Sequence, residues 1–434
     1  MSPQRPAEKK RLLILTSKLG YQTRGFVQAA EKLDVEVIFG TDRCHKLDDP
    51  WGDQALALDF ESPSQAAREI IREMRAHPPD GVLALGDRPT PAAAYVAQAF
   101  GLAGNPPEAA KTCRNKLLQR QVLANAGLPV PWFISFRLPE DPARMVSRVR
   151  FPCVLKPTVL SASQGVVRAD DAAGFERAVA RLRALLESPE IQVLREPELD
   201  ELLVEGYIPG TEVAIEGLVG SGDFRVLAIF DKPDPLEGPY FEETIYVTPS
   251  RLPAERQTAI ELCAARSTAA LGLVAGPVHA EFRMNEAGPW VLEIAPRPIG
   301  GLCSRALRFG PERISLEELL IRHALGLSGS DLEREEEAAG VMMIPVPRSG
   351  IFEGVDGIEE AEKLAGVDEI RITARLHDYV AAWPEGASYL GFIFAREGGP
   401  EQVETALRAA HAKLRFRFSP RLPVEHPASG RMRP

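Results

Sequence analysis

The chain has 434 residues, of which 45% are hydrophobic and 26% charged. At roughly 100–200 residues per domain this length holds two to four domains, and the composition excludes a mainly disordered chain. The net charge of −10 argues against a general binder of nucleic acid or anionic membrane, while leaving room for a local basic channel.

Cys44, Cys113, Cys153, Cys263 and Cys303 lie far apart, are odd in number and form no CxxC pair. Neither a zinc ribbon nor a disulfide scaffold is expected, and a reducing cytoplasm is the natural compartment. The apolar run Leu12 to Leu15 is too short for a signal-peptide core, and no stretch approaches the ~20 apolar residues that cross a bilayer. Of 51 basic residues only 11 are lysine, so a lysine inside an apolar segment is conspicuous.

The first elements alternate. Residues 11–16 (RLLILT) read as a strand, 24–33 as a helix, 35–39 as a strand and 65–76 as a helix. Residues 81–85 (GVLAL) read as a strand ending at Gly86-Asp87. This predicts a small parallel α/β domain with ligands at the carboxyl ends of its strands, near Thr16 to Gly20 and Gly86 to Arg88. The GxGxxG pattern is absent after the first strand, so a dinucleotide binder is not expected.

The Pro/Gly-rich segment 101–112 marks a boundary. A helix then runs from near Lys116 to Gly127, followed by strands at 153–156 and 165–169 and a helix at 173–187. Strands at 202–205, 212–219 and 224–230 read as antiparallel. A long loop, 231–253, precedes a helix at 254–271 and a hairpin made of 278–284 and 290–295. The charged run 331–340 reads as a solvated linker or helix end, the residues to about 418 as a small α/β domain, and the tail from Ser419 as flexible.

Three segments carry chemistry. In the hairpin HAEFRMNEAGPWVLEIAPRP (279–298), pairing Met284 with Trp290 sets Glu281 directly opposite Glu293, with Cβ atoms roughly 4.5–5.5 Å apart. Either a divalent cation bridges the two carboxylates, which suits Mg2+, or one Glu faces solvent and the other pairs with Arg283 or Arg297. In FPCVLKPTVLSASQGVV (151–167), Lys156 ends an apolar strand and precedes a turn holding Ser161, Ser163 and Gly165. Such a turn offers N–H groups and hydroxyls to phosphate beside a lysine charge; it also suits an ordinary hairpin. In LLVEGYIPGTEVAIEG (202–217), Glu205, Tyr207, Ile208 and Glu212 form either the edge that reads an adenine and a ribose or a plain strand–turn–strand.

In this order the three segments resemble the ATP-grasp superfamily of carboxylate–amine and carboxylate–thiol ligases, over most of the chain. The resemblance implies an α/β chain that is α+β in its core. Residues 1–110 would form a preceding α/β domain. Residues 111–326 would form the two-lobed grasp, with a phosphate-loop lobe at about 111–200 and a metal-site lobe at about 201–326. Residues 335–418, through IPVPRSGIFEGV (344–355) and YLGFIFAREGGPEQVETALRAA (389–410), resemble the C-terminal domain of the L-amino acid ligase branch. Residues 419–434 would be a flexible tail.

The resemblance also implies ATP and Mg2+, with Mn2+ as a substitute, small-molecule carboxylate and amine substrates, and a homodimer. Nucleic acid and membrane are not expected partners. Lys116 and Lys156 would contact phosphates, and Ser161 through Val166, including Ser163 and Gly165, would cover them. Glu205, Tyr207 and Ile208 would meet adenine, and Glu212 the ribose. Glu281 and Glu293 would bind the metal, and Arg297 would stabilise an acyl phosphate.

Two positions depart from the pattern. Ala295 stands where many relatives carry a metal-ligating Asn, and Glu205-Gly206 stands where Glu-Glu or Glu-Lys is usual. A purine-biosynthesis type of enzyme using formate or bicarbonate, and a nucleotide-binding protein without turnover, are the competing readings. Glu242 and Glu243 in the long loop are candidates for a substrate ammonium, and Arg305 and Arg308 for a substrate carboxylate. His279 and Cys303 are expected to be structural.

Overall fold

The computed structural model describes residues 9–17, 21–42 and 55–420, except residues 139, 197, 221 and 387. Cys44, residues 18–20 and residues 421–434 lie outside the described residues.

The first layer is a four-stranded sheet in the order Ala55–Ala57, Glu36–Thr41, Arg11–Thr16, Gly81–Leu85, and every pairing in it is parallel. Alternation along the strand Arg11–Thr16 divides two cores. Leu12 and Ile14 pack with Phe26 and Ala29 on one face, while Leu13 and Leu15 pack with Ala66 and Ile70 on the other. Helix Pro63–Met74 buries Ala66, Ala67, Ile70 and Met74, one stripe at helical spacing.

A smaller lobe follows. Its four strands, in the order Phe133–Arg137, Glu201–Gly206, Cys153–Pro157, Val167–Ala169, are all antiparallel. Helix Ala172–Leu186 packs on them through Phe175, Ala178, Val179 and Leu182. Gly165 adopts φ +76, so the last of these strands begins at Val167, later than the strand expected from 165.

The largest sheet has eight strands, in the order Gly288–Ala295, Gly276–Asn285, Thr211–Gly220, Asp223–Asp231, Ile245–Thr248, Ala338–Ile344, Gly391–Glu397, Val367–Ile372. It begins with the carboxylate hairpin and continues without a break into the C-terminal residues, through the pairing of Ile245 with Met342. Helix Ala254–Ala270 covers one face of the hairpin half. A separate three-stranded sheet joins Tyr379–Val380, Gly350–Asp356 and Arg415–Ser419. Ser419 pairs with Ile351 there, which corrects the expectation that the flexible tail starts at Ser419.

The hairpin differs from the expected pairing in an instructive way. Its turn is tighter, with Asn285 opposite Gly288 and Arg283 opposite Trp290. A β-bulge between Glu281 and Phe282 then takes up one residue, so Glu281 still stands opposite Glu293. The expected Met284–Trp290 pairing is therefore wrong at the turn, and the carboxylate pairing derived from it holds at the site.

Candidate active site

Three of the lysines are buried among the described residues: Lys116, Lys156 and Lys232. Burying an ammonium is costly unless carboxylates meet it. All three are met at one cleft, which opens between the small lobe and the eight-stranded sheet.

The lobe supplies Val154, Lys156, Ser163, Val166 and Glu205 to that cleft, and the sheet supplies Glu212, Glu281, Arg283, Leu292 and Glu293. Lys116, Gly206, Tyr207, Ile208 and Phe241 complete the wall around about 590 Å³ of space that is open to solvent at its mouth.

Lys116 is the first residue of helix Lys116–Asn125, whose N-cap Asn115 accepts the N–H groups of Leu117 at 3.0 Å and Leu118 at 3.1 Å. Its ammonium donates to the Leu160 carbonyl at 2.6 Å and to Glu293 at 3.2 Å. On the opposite wall Lys156 pairs with Glu205. Glu205 also accepts from the Arg120 guanidinium, at 2.7 Å and 3.3 Å. Burial opposes the Glu205 charge, but Arg120 and Lys156 outweigh it and hold the carboxyl at about 2.

Lys232 escaped the reading of the sequence. Its ammonium donates to Glu212 at 2.8 Å, Glu243 at 2.6 Å and Glu281 at 3.1 Å, one acceptor for each of its three N–H bonds. Those three carboxylates place ligand atoms within 4.8 Å of one another, the cluster that the structure assembles in place of an isolated Glu281–Glu293 pair. Burial lowers the affinity of Lys232 for its proton, yet the three charges raise it well above the usual value. Burial pushes Glu243 up to about 7, against the pull of Lys232. Glu281 is held well below the carboxylate range despite burial, by Lys232 and by His279.

The same lysine scarcity that singled out Lys156 also marks Lys232, which follows the apolar strand Asp223–Asp231 directly. Arg120 and Arg283 gave less signal, since an arginine on a helix or strand reads equally well as a solvated charge. Arg283 donates to Glu212 at 3.0 Å, to the Tyr207 hydroxyl at 3.0 Å and to the Ile208 carbonyl at 2.9 Å. It thereby sets the strand end on which Tyr207 and Ile208 sit.

Ser161, Gly165 and Arg297 lie outside the cleft wall. Ser161 is exposed, and a Cβ on Gly165 would press on Leu182, Leu185 and Pro157 at 3.0 Å. Arg297 grips Asp87 of the parallel sheet at 2.9 Å and 3.3 Å. Burial disfavours both charges, and each partner restores the other: Asp87 is held low and Arg297 high. Arg297 thus stands where the carboxyl end of Gly81–Leu85 meets the hairpin strand. His279 donates from Nδ1 to Glu216 at 2.6 Å, and its Nε2 lies 3.6 Å from a Glu281 oxygen. Cys303 is buried, and burial pushes its thiol up, so it is no ready nucleophile.

The donor set fits a hard divalent cation. Glu281 and Glu293 stand opposite each other, both partly open to the cleft, and each is balanced by an ammonium, Lys232 for Glu281 and Lys116 for Glu293. Ala295 is buried and offers no further ligand.

A cleft with lysines on both lobes and paired carboxylates on one of them defines a nucleotide clamp. The ATP-grasp domain family matches residues 149–306, and L-amino acid ligase C-terminal domain 2 matches residues 342–419. Residues 149–306 thus carry an ATP-grasp domain, and residues 342–419 an L-amino acid ligase C-terminal domain.

Among solved structures it is similar to an L-amino acid ligase from Bacillus licheniformis, with 29% identity and a TM-score of 0.80, covering 95% of this chain and 100% of that one. It is 25% identical over 310 residues to alanine–anticapsin ligase of Bacillus subtilis, covering 68% of this chain and 65% of that one. It is 29% identical over 316 residues to carnosine synthase 1 of Gallus gallus, covering 68% of this chain and 33% of that one. The chain spans less than two thirds of the length of the first curated relatives it matches. No helix among the described residues is long and apolar enough to cross a membrane.

Proposed function

We propose that the protein is an ADP-forming ligase that joins an amino acid or similar carboxylate to an amine. The carboxylate attacks the γ-phosphorus of ATP, the β–γ phosphoanhydride breaks, and an acyl phosphate and ADP result. The amine then attacks the acyl carbon, phosphate leaves and a proton is lost from nitrogen.

The observation that carries this reading is the convergence of Lys116, Lys156, Glu281 and Glu293 on one cleft from separate elements. On this reading Lys116 and Lys156 hold phosphate oxygens, with Ser163 and Val166 over them. Ser161 and Gly165 shape that turn rather than line the cleft. Tyr207 and Ile208 border the base, and Glu212 the ribose. Glu205, on the cleft wall, keeps Lys156 and Arg120 in place. Glu281 and Glu293 would hold Mg2+, or Mn2+ with the same oxygen preference, which supplies charge neutralisation on the transferring phosphoryl group. Arg297 holds Asp87 at the junction where the acyl group would sit, and Glu243 is the candidate for the incoming ammonium. The catalytic work of the chain is positioning and charge balance.

The test is phosphate release from Mg-ATP against pooled amino acids and then pooled organic acids, with products weighed by mass spectrometry. Release that requires an amino acid, with ADP and a product equal to two substrates minus water, is the expected result. AMP instead of ADP would overturn the acyl-phosphate route. In the same assay Glu293→Gln is expected to lose at least about 100-fold in turnover; full residual activity would remove Glu293 from the metal site.

A further inference from the structure

The long loop after Asp223–Asp231 does more than cover the cleft; it builds part of it. Leu236 and Phe241 form a small apolar cluster with Val154, against which Val166 and Tyr207 pack, and Phe241 lines the cleft itself. Glu242 and Glu243 follow directly. One loop therefore carries a piece of the nucleotide wall and, two residues on, the carboxylate held by Lys232 and by the Tyr246 hydroxyl at 2.7 Å.

Arg168, on the edge strand Val167–Ala169 of the small lobe, fastens this loop. Its backbone N–H donates to the Pro239 carbonyl at 2.8 Å and its guanidinium to the Glu237 carbonyl at 2.7 Å. The same guanidinium lies 4.0 Å from the centre of the Tyr207 ring and donates to Asp170 at 2.7 Å. Between the two bonded carbonyls sits Gly238, at φ +96, where a Cβ would come within 2.9 Å of the Arg168 Cβ. Only glycine permits so close a clasp.

We propose that Arg168 is a positioning residue that couples the small lobe to the loop, so that filling the nucleotide cleft and presenting Glu243 to the second substrate are one event. This rests on the ligase reading above. The Arg168 side chain spans the base-side wall at Tyr207 and the loop backbone at Glu237. A nucleotide that orders the first orders the second, and by reciprocity the loop reports back on nucleotide affinity.

The experiment is amide hydrogen exchange on the full chain, with and without a non-hydrolysable ATP analogue and Mg2+, together with calorimetric binding of the same analogue. In the unmodified protein, saturating analogue is expected to slow exchange in residues 233–243 by at least about 10-fold. In Arg168→Ala the analogue still binds, within about 10-fold of its original affinity, but that slowing falls below about 3-fold. Arg168→Lys keeps the backbone bond and the charge but not the forked reach, and is expected to fall between. Gly238→Ala tests the same clasp from the loop side and is expected to match Arg168→Ala. Exchange in the eight-stranded sheet, unchanged in each variant, separates loss of the clasp from loss of the fold. Equal slowing in Arg168→Ala and the unmodified protein overturns the proposal. So does an analogue that binds the unmodified protein without slowing the loop. Failure of the unmodified protein to bind the analogue at all overturns the ligase reading, and this inference with it.

Discussion

Lys232 shows what a single side chain can hold together. Glu212, Glu243 and Glu281 come from different strands and a loop, and their charges are tolerable side by side because one ammonium sits among them. Lys232→Met keeps the volume and removes the charge. It is expected to lower stability by about 3–5 kcal/mol, read from the urea midpoint at constant slope, because one buried and two half-buried carboxylates lose a shared partner. Glu205 gives a pH signature. Its carboxyl is held at about 2 against an ordinary 4.5, so its contribution to stability is complete above pH 4.5 and is lost as pH falls toward 2. That contribution is about 3 kcal/mol, and denaturant midpoints measured on either side of pH 4.5 are expected to show it shrinking in Glu205→Gln. At this scale much of the cleft was legible. Lys156 and the Glu281–Glu293 pair stand out in the one-dimensional pattern as charges in apolar strands. Arg120 did not, because its partner Glu205 lies far along the chain and only folding sets the two side by side.

The helix Lys116–Asn125 acts as a unit on the strand Gly288–Ala295. That strand is the edge of the largest sheet, so one row of its backbone groups lacks a neighbouring strand. Gln119 supplies one, accepting from the Ile294 N–H at 2.9 Å and donating to its carbonyl at 2.9 Å. Arg120 donates to the Leu292 carbonyl at 2.7 Å, at the bulge. Lys116, Gln119 and Arg120 share one helix face, at spacings of three and four residues, and that face is docked on the edge. Gln119→Leu is expected to cost about 2–4 kcal/mol by leaving two buried backbone groups unpaired, and to weaken magnesium-dependent turnover because Glu293 adjoins Ile294. Thermal unfolding and metal titration of turnover check the two halves. From the sequence this stretch reads only as a helix from near Lys116 to Gly127. A polar stripe aimed at a sheet edge and one aimed at water have the same pattern. The bulge was equally hidden: its effect on register cancels the error in the turn, so the pairing of the two carboxylates was found without it.

Across the whole molecule the eight-stranded sheet ties the carboxylate hairpin to the C-terminal residues. Val341, Met343, Phe392 and Phe394 share a core with Leu12, Phe230 and Ile299, so the C-terminal part is packed against the parallel layer as well as hydrogen-bonded to the strand Ile245–Thr248. A chain ending at residue 334 would leave the strand Ile245–Thr248 without its neighbour and that core open on one side. It is expected to aggregate rather than act as a smaller enzyme, which size-exclusion chromatography and circular dichroism would show; a soluble, ATP-binding fragment would contradict the shared core. The alternation of strands and helices at the N-terminus and the antiparallel runs after residue 200 were visible in the sequence. The single sheet was not. Periodicity reports which face of a strand is buried and is silent about which distant strand lies beside it.

The three-way grip on Lys232 has a further consequence for the proposed chemistry. A mixed anhydride of a carboxylic and a phosphoric acid reacts with any free amine, including one on the protein that made it. Lys232 lies beside Glu243, where the acceptor amine is proposed to arrive. Held by three carboxylates, its nitrogen keeps its proton and has no lone pair to offer. On that proposed chemistry, the arrangement that balances charge in the cleft also shields the chain from acylating itself, and reserves the activated group for the amine that enters from outside.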